Sequence, residues 1–170
     1  ALAKEYNVSK VAFESEYVTV DQFSQWESRL GVDLIPTKDL ILDYRMVKTV
    51  EEIELITKAV QITDEAFANT LPLIKPGVQE MEIALELEYQ MKKLGASGLA
   101  FDAIVASGPR GALPHATPGQ RKFTHGDFIV MDFGCSYQGY CSDMTRTLLI
   151  GEPSDKHLAV YNLVLKAQLA

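Results

Sequence analysis

The spacing of apolar residues changes along the chain, and the changes mark its organisation. Near the start, short apolar runs at residues 10–13 and 32–36 read as strands. Between them Thr19 and Gln22 form a T-x-x-Q capping box, which opens a helix through about Leu30. Gly31 stops that helix. Thr37 is expected to cap a short helical turn toward Arg45, and residues 1–6 read as the tail of an earlier helix. The result is a βαβ piece with two parallel strands. Two such strands cannot bury both faces alone, so more sheet is expected upstream.

After Arg45 the period becomes helical. Thr49 and Glu52 make a second capping box, and Ile53, Ile56, Val60, Phe67 and Leu71 are expected to line a long helix. Pro72 and Lys75–Pro76–Gly77 break it. A second helix is expected over residues 79–94, with Ala84, Leu87, Met91 and Leu94 on one stripe and Gly95 at its end. Apolar faces of both helices are expected to stay exposed in this chain. Residues 101–106 read as a strand, and 107–126, rich in Gly and Pro, as loop. A hairpin is expected over 127–150. Ser154 then caps a last helix, with Leu158, Tyr161, Val164, Leu165 and Leu169 at helical spacing. That helix reaches Ala170 without a stop signal, and the two ends together favour truncation. A domain boundary is expected near residues 45–49, giving units 1–45 and 46–170.

The hairpin carries the informative chemistry. Its strands surround a turn at Tyr137–Gln138–Gly139. With Tyr137–Gln138 as the two-residue loop, Asp132 falls directly opposite Asp143, with Cβ atoms about 5 Å apart. Two carboxylates so placed repel unless one is protonated or a cation sits between them, and a hard divalent cation is the simplest explanation. Either aspartate alone could be structural, Asp132 ending a strand and Asp143 bonding a turn. Thr145, two residues beyond Asp143 on the same face, could hydrogen-bond a ligand carboxylate or be a plain surface threonine. His115, in the loop ALPHATPG, is either a solvated loop residue or a substrate hydrogen bonder. His125 reads as a turn residue and His157 as a solvated helix residue.

Composition narrows the classes. The 170 residues, 47% hydrophobic and 23% charged, suit a globular chain. No apolar run approaches the roughly 18 residues of a membrane span, and the polar opening ALAKEYNVSK is unlike a signal peptide. The net charge of −7 argues against nucleic-acid binding. The two cysteines, Cys135 and Cys141, fall on opposite strand faces, which speaks against a disulfide. A cytoplasmic, reducing compartment is the default. There is no G-x-S-x-G elbow at Ser107, no H-E-x-x-H and no phosphate loop.

The segments RMVKTVEEIELI, IKPGVQEMEIALELEYQMKKLGA, FDAIVASGPRGALPHA, GDFIVMDFGCSYQGYCSDMTRT and IGEPSDKHLAVYNLVLKAQ resemble the Xaa-Pro aminopeptidases and prolidases of the pita-bread metallopeptidases. Residues 1–44 look like the end of the creatinase-type N-terminal domain that precedes that fold. The implied fold class is α+β: the first half of the pita-bread (creatinase/aminopeptidase) fold, preceded by the tail of an α/β domain. Gln79 departs from the family's usual Thr or Ser cap.

The resemblance implies a dinuclear-metal peptidase in the parent protein, acting on peptides with proline at the second position. Asp132 matches the first metal-binding aspartate, Asp143 the second, which bridges the metals, and His115 a histidine that contacts substrate. Thr145 is expected to support the site. A histidine and two glutamates, the other implied ligands, are absent from this chain, which by itself is expected to be inactive. Such a site suits two Mn²⁺ or Co²⁺ ions, with Zn²⁺ as an alternative. A homodimeric parent, with no nucleic-acid or membrane partner, is expected. Two rivals share the fold: a non-catalytic pita-bread binding module and a metal-free creatinase-type amidinohydrolase. Loss of the aspartates would mark either, and both aspartates are present.

Overall fold

The computed structural model describes residues 5–170. The expected helical tail over residues 1–6 falls mostly outside the described residues; Glu5 is helical and Tyr6 is in a turn. The chain divides into two compact units, Ala1–Thr49 and Val50–Ala170.

The first unit is a βαβ piece. Strand β1 (Lys10–Glu14) pairs in parallel with β2 (Asp33–Thr37), in a register running from Lys10↔Asp33 to Glu14↔Thr37. Helix α1 (Val20–Leu30) crosses between them. The Thr19–Gln22 capping box forms on both sides, and Gly31 closes the helix at φ 61°, a left-handed conformation that costs glycine nothing. Phe13 packs against Phe23 and Trp26 of α1, at 5.4 and 6.4 Å between ring centres. Thr37 corrects an expectation. It ends β2 instead of capping a helix, and its hydroxyl donates to the Phe13 carbonyl at 3.0 Å. Helix α2 (Leu40–Met46) begins after Asp39 with no side-chain cap bond. The strand ladder reached the threonine before any helix could use it.

The second unit packs two helices on strands. Helix α3 (Val50–Thr70) is followed by a 3₁₀ turn at Leu71–Leu73, as Pro72 requires, and then by α4 (Glu80–Lys93). The α4 stripe is the expected one, with Ala84, Leu87 and Met91 buried. In α3 the period is helical but the phase differs from expectation. Ala59, Ile62, Thr63, Ala66 and Thr70 are buried, whereas Ile53, Val60 and Leu71 are exposed. Small alanines let the helix approach closely, and the Thr63 and Thr70 hydroxyls donate back to the Ala59 and Ala66 carbonyls at 3.1 and 2.8 Å. The inner face thus reads as polar in sequence while burying no unpaired group.

Strand β3 (Gly98–Leu99) and strand β4 (Ile104–Ser107) replace the single strand expected over 101–106. Between them the chain steps from one sheet to another, and Ala100 N–H donates to the Gly134 carbonyl at 3.0 Å. The hairpin is likewise divided, into β5 (Phe128–Phe133), β6 (Cys135–Tyr137), β7 (Tyr140–Cys141) and β8 (Met144–Leu149). One antiparallel sheet has the order β4-β5-β8, the other β3-β6-β7.

Along β5, Ile129, Met131 and Phe133 are buried while Phe128, Val130 and Asp132 alternate with them. The inner set meets Ile62 and Ala66 of α3 and Ile83, Leu87 and Met91 of α4 in one core, and Phe67 stacks on Phe133 at 5.8 Å. Each large side chain fully buried there contributes about 1.5–3 kcal/mol. The same alternation puts Asp132 on the face away from this core.

The last helix, α5 (Asp155–Gln168), starts at the expected Ser154 cap. His157 is more than a solvated residue. Its Nδ1 accepts from the Ser154 N–H at 3.2 Å, and its ring meets Phe128 edge-on at 5.2 Å. It takes the place that Glu or Gln holds in the usual capping box, which is why it was missed. Leu158, Tyr161, Val164, Leu165 and Leu169 are exposed. Among the described residues no helix is long and apolar enough to cross a membrane.

Candidate metal centre

The turn of the hairpin sets the site. Gln138 and Gly139 form the two-residue loop, at φ 47° and 86°, with Tyr137 paired to Tyr140 and Ser136 to Cys141. Two central residues at positive φ suit the twist of a two-residue hairpin, and the glycine takes the second without strain. The loop expected at Tyr137–Gln138 is therefore one residue out. In the observed register Asp132 pairs with Thr145, not with Asp143. Asp143 lies two residues earlier on the returning chain, diagonal to Asp132.

Asp143 sits where the hairpin breaks. At Gly134 the two chains come so close that a Cβ would lie 1.9 Å from the Ser142 carbonyl oxygen, and only glycine fits. Ser142 N–H donates to the Cys135 carbonyl at 2.9 Å, while its hydroxyl accepts from Cys135 N–H at 2.9 Å and lies 2.6 Å from Thr63 Oγ1. These buried bonds tie α3 to the break and fix the backbone just before Asp143. Cys135 is buried here and Cys141 exposed.

Asp132, Asp143 and His115 all line one cleft of about 640 Å³. Thr145 Oγ1 donates to Asp132 Oδ1 at 3.0 Å. Among the described residues, the titratable groups lining the cleft are Glu88, Asp102, Asp132, Asp143 and His115, with no lysine or arginine. Asp143 is exposed and makes no hydrogen bond or ion pair among the described residues. Glu88 is paired with Lys92 of its own helix at 2.7 Å, which leaves Asp102, Asp132 and Asp143 as carboxylates lining the cleft without a cationic partner among the described residues, oxygen donors that suit a hard divalent ion. Among the described residues no group of three or more metal-ligating side chains comes together, so the donors present fit such an ion without completing its shell.

Sequence reasoning missed the polar framework beside the cleft. Glu80 is fully buried, 0% exposed. It accepts from Ser107 N–H and Oγ at 2.8 and 2.7 Å, from Arg110 Nε at 3.0 Å and from Gly119 N–H at 3.1 Å. Arg121 forks onto Asp127, with Nη1 to Oδ2 at 2.6 Å and Nη2 to Oδ1 at 2.9 Å. Burial alone pushes the Asp127 carboxyl up. The bonds from Arg121 and Thr124 and the nearby positive charge outweigh it and hold its pKa below the ordinary carboxylate value. Arg121 is raised in return, chiefly by its bond to Asp127. In sequence Glu80 is an ordinary first-turn acid; only the tertiary fold buries it.

Comparison with known proteins identifies the family. The profile described as Metallopeptidase family M24 matches residues 54–170. The chain is 45% identical over 130 residues to the Xaa-Pro dipeptidase of Pyrococcus furiosus, covering 76% of this chain and 37% of that protein. It superposes on the Xaa-Pro dipeptidase from Bacillus anthracis with a TM-score of 0.91 at 45% identity, covering 99% of this chain and 47% of that one. For the X-Pro aminopeptidase from Thermotoga maritima the TM-score is 0.90 at 42% identity, covering 98% and 48%. The chain spans less than half the length of each.

Proposed function

Since the chain belongs to metallopeptidase family M24, we propose that its parent protein hydrolyses Xaa-Pro peptide bonds, as an aminopeptidase P or a prolidase, with two divalent metal ions. The observation that carries this is the cleft lined by Asp102, Asp132 and Asp143, with no lysine or arginine among its described lining residues. The printed names of the relatives, Xaa-Pro dipeptidase and X-Pro aminopeptidase, support the substrate class.

Asp132 and Asp143 would hold the metals, Asp143 between the two. Thr145, by donating to Asp132 Oδ1, would hold that carboxylate in place and leave its other oxygen for a metal. His115 would hydrogen-bond the peptide beside the scissile bond. Divalent ions held there would supply Lewis acidity, lowering the pKa of a bound water and polarising the scissile carbonyl. Oxygen donors with one histidine favour Mn²⁺ or Co²⁺, with Zn²⁺ as the alternative. Hard divalent ions take about six ligands each, so the set is completed by residues of the parent outside these 170, and the isolated chain is inactive. We assign residues 1–45 to the end of a creatinase-like domain and 46–170 to the first half of the pita-bread domain. The parent is proposed to be a cytoplasmic homodimer. The exposed, cation-seeking Asp143 favours this reading over a binding module or a metal-free amidinohydrolase.

The test is cleavage of matched peptides with and without proline at the second position, before and after chelation. Proline-dependent cleavage, lost on chelation and restored by Mn²⁺ or Co²⁺, is expected. Full-rate cleavage by the chelated parent contradicts the proposal.

A further inference from the structure

His115 sits at φ 59°, a left-handed conformation that L-residues adopt only when their surroundings impose it. Its side chain is exposed and makes no hydrogen bond among the described residues. Its direction is therefore set by the backbone of the loop, and something must hold that loop. The residue that does so is Glu80. Its Oε2 accepts from Arg110 Nε at 3.0 Å at the start of the loop and from Gly119 N–H at 3.1 Å at its end. Arg110 reaches on through Nη2 to the Thr117 carbonyl. The other oxygen, Oε1, is anchored on Ser107 at 2.8 and 2.7 Å. Behind them Met81 N–H donates to the Gly119 carbonyl at 3.0 Å. One carboxylate oxygen thus closes residues 110–119 into a loop, with Arg110 as a strut inside it.

We propose that Glu80 and Arg110 are positioning residues for His115, stapling both ends of loop 110–119 so that the imidazole is presented to the cleft. This rests on the reading of His115 as a substrate contact. Arg110 is the residue to change, because its side chain is 36% exposed whereas that of Glu80 is 0% exposed; protection of the hairpin reports whether the fold tolerates the buried carboxylate left behind. A lysine there keeps the charge next to Glu80 but has no planar fork with which to reach Thr117 as well.

The experiment compares R110A, R110K, H115A and the R110A/H115A double variant in the full-length protein. Three quantities are read: amide hydrogen exchange, metal content, and kcat and KM on an Xaa-Pro peptide. In R110A, exchange over residues 111–118 should rise while the hairpin 128–149 stays protected. Turnover should fall on the order of 10- to 100-fold, the effect of a misplaced contact, with metal content unchanged, and R110K should recover part of it. On the H115A background, R110A should cost nothing further, because the two act as one unit. Unchanged loop exchange in R110A overturns the proposal. So does an equal loss of turnover with and without His115. If H115A alone retains full activity, the substrate role of His115 fails, and the exchange data still decide the staple.

Discussion

Thr145 lies directly across the strand pair from Asp132 and donates its hydroxyl to Asp132 Oδ1 at 3.0 Å. That bond engages one oxygen of a carboxylate that lines the cleft and leaves the other without a hydrogen bond among the described residues, the arrangement expected of a partner that orients a metal ligand. T145V keeps the β-branched shape the strand favours and removes only the donor. In the full-length protein it should weaken divalent-metal affinity by about 10-fold or more. Stability should change by no more than about 0.5 kcal/mol, because the residue is exposed. Metal titration and thermal unfolding, run together, separate these effects. A variant that loses stability but keeps its affinity makes Thr145 a strand residue only.

Gly134 and Ser142 set the break in the hairpin. A methyl group at Gly134 would fall 1.9 Å from the Ser142 oxygen, and the facing atom is backbone, which cannot rotate away. G134A should therefore destabilise by more than about 4 kcal/mol, the range reserved for severe lesions. Denaturant unfolding reads it, and a loss under about 1 kcal/mol would show that the break can shift.

Acid should weaken the second unit through Asp127. Its folded pKa is held below the unfolded value, near 3.9 for a free aspartate. The stabilisation is thus complete above about pH 5 and is lost progressively as pH falls through the unfolded value and then the lower folded one. D127N should cost roughly 1–3 kcal/mol at neutral pH, the range for a hydrogen bond to a charged group left unpaired. It should also flatten the acid limb. Unfolding free energies of both proteins from pH 7 downward give the comparison, and parallel curves contradict this role.

Much of this was legible in the sequence because it rests on local signals. The Thr19–Gln22 box, Gly31, Pro72 and Ser154 mark helix ends by chemistry within a few residues. The β5 alternation likewise tells which face Asp132 takes. What failed depended on partners far along the chain. The inner face of α3 is built from Ala59, Thr63, Ala66 and Thr70, small and hydroxylic residues whose burial depends on a sheet more than sixty residues later. The hairpin register turned on whether Tyr137 or Gly139 joins Gln138 in the two-residue loop, and one residue of error there moved Asp143 from opposite Asp132 to its diagonal. Glu80 carried no sign of burial, since its partners Ser107, Arg110 and Gly119 are 27 to 39 residues away.

The central claim is that Asp132 and Asp143 hold divalent metal, and it is tested most directly on the full-length protein by calorimetric titration of Mn²⁺. The measurement compares the metal-stripped wild type with D143N. Asp143 is exposed and bonds to nothing among the described residues, so the substitution leaves the fold intact and removes one charged donor. Wild type should bind two ions per chain, and D143N should lose at least one of them together with cleavage of an Xaa-Pro peptide. Two-site binding of undiminished affinity in D143N would contradict the assignment.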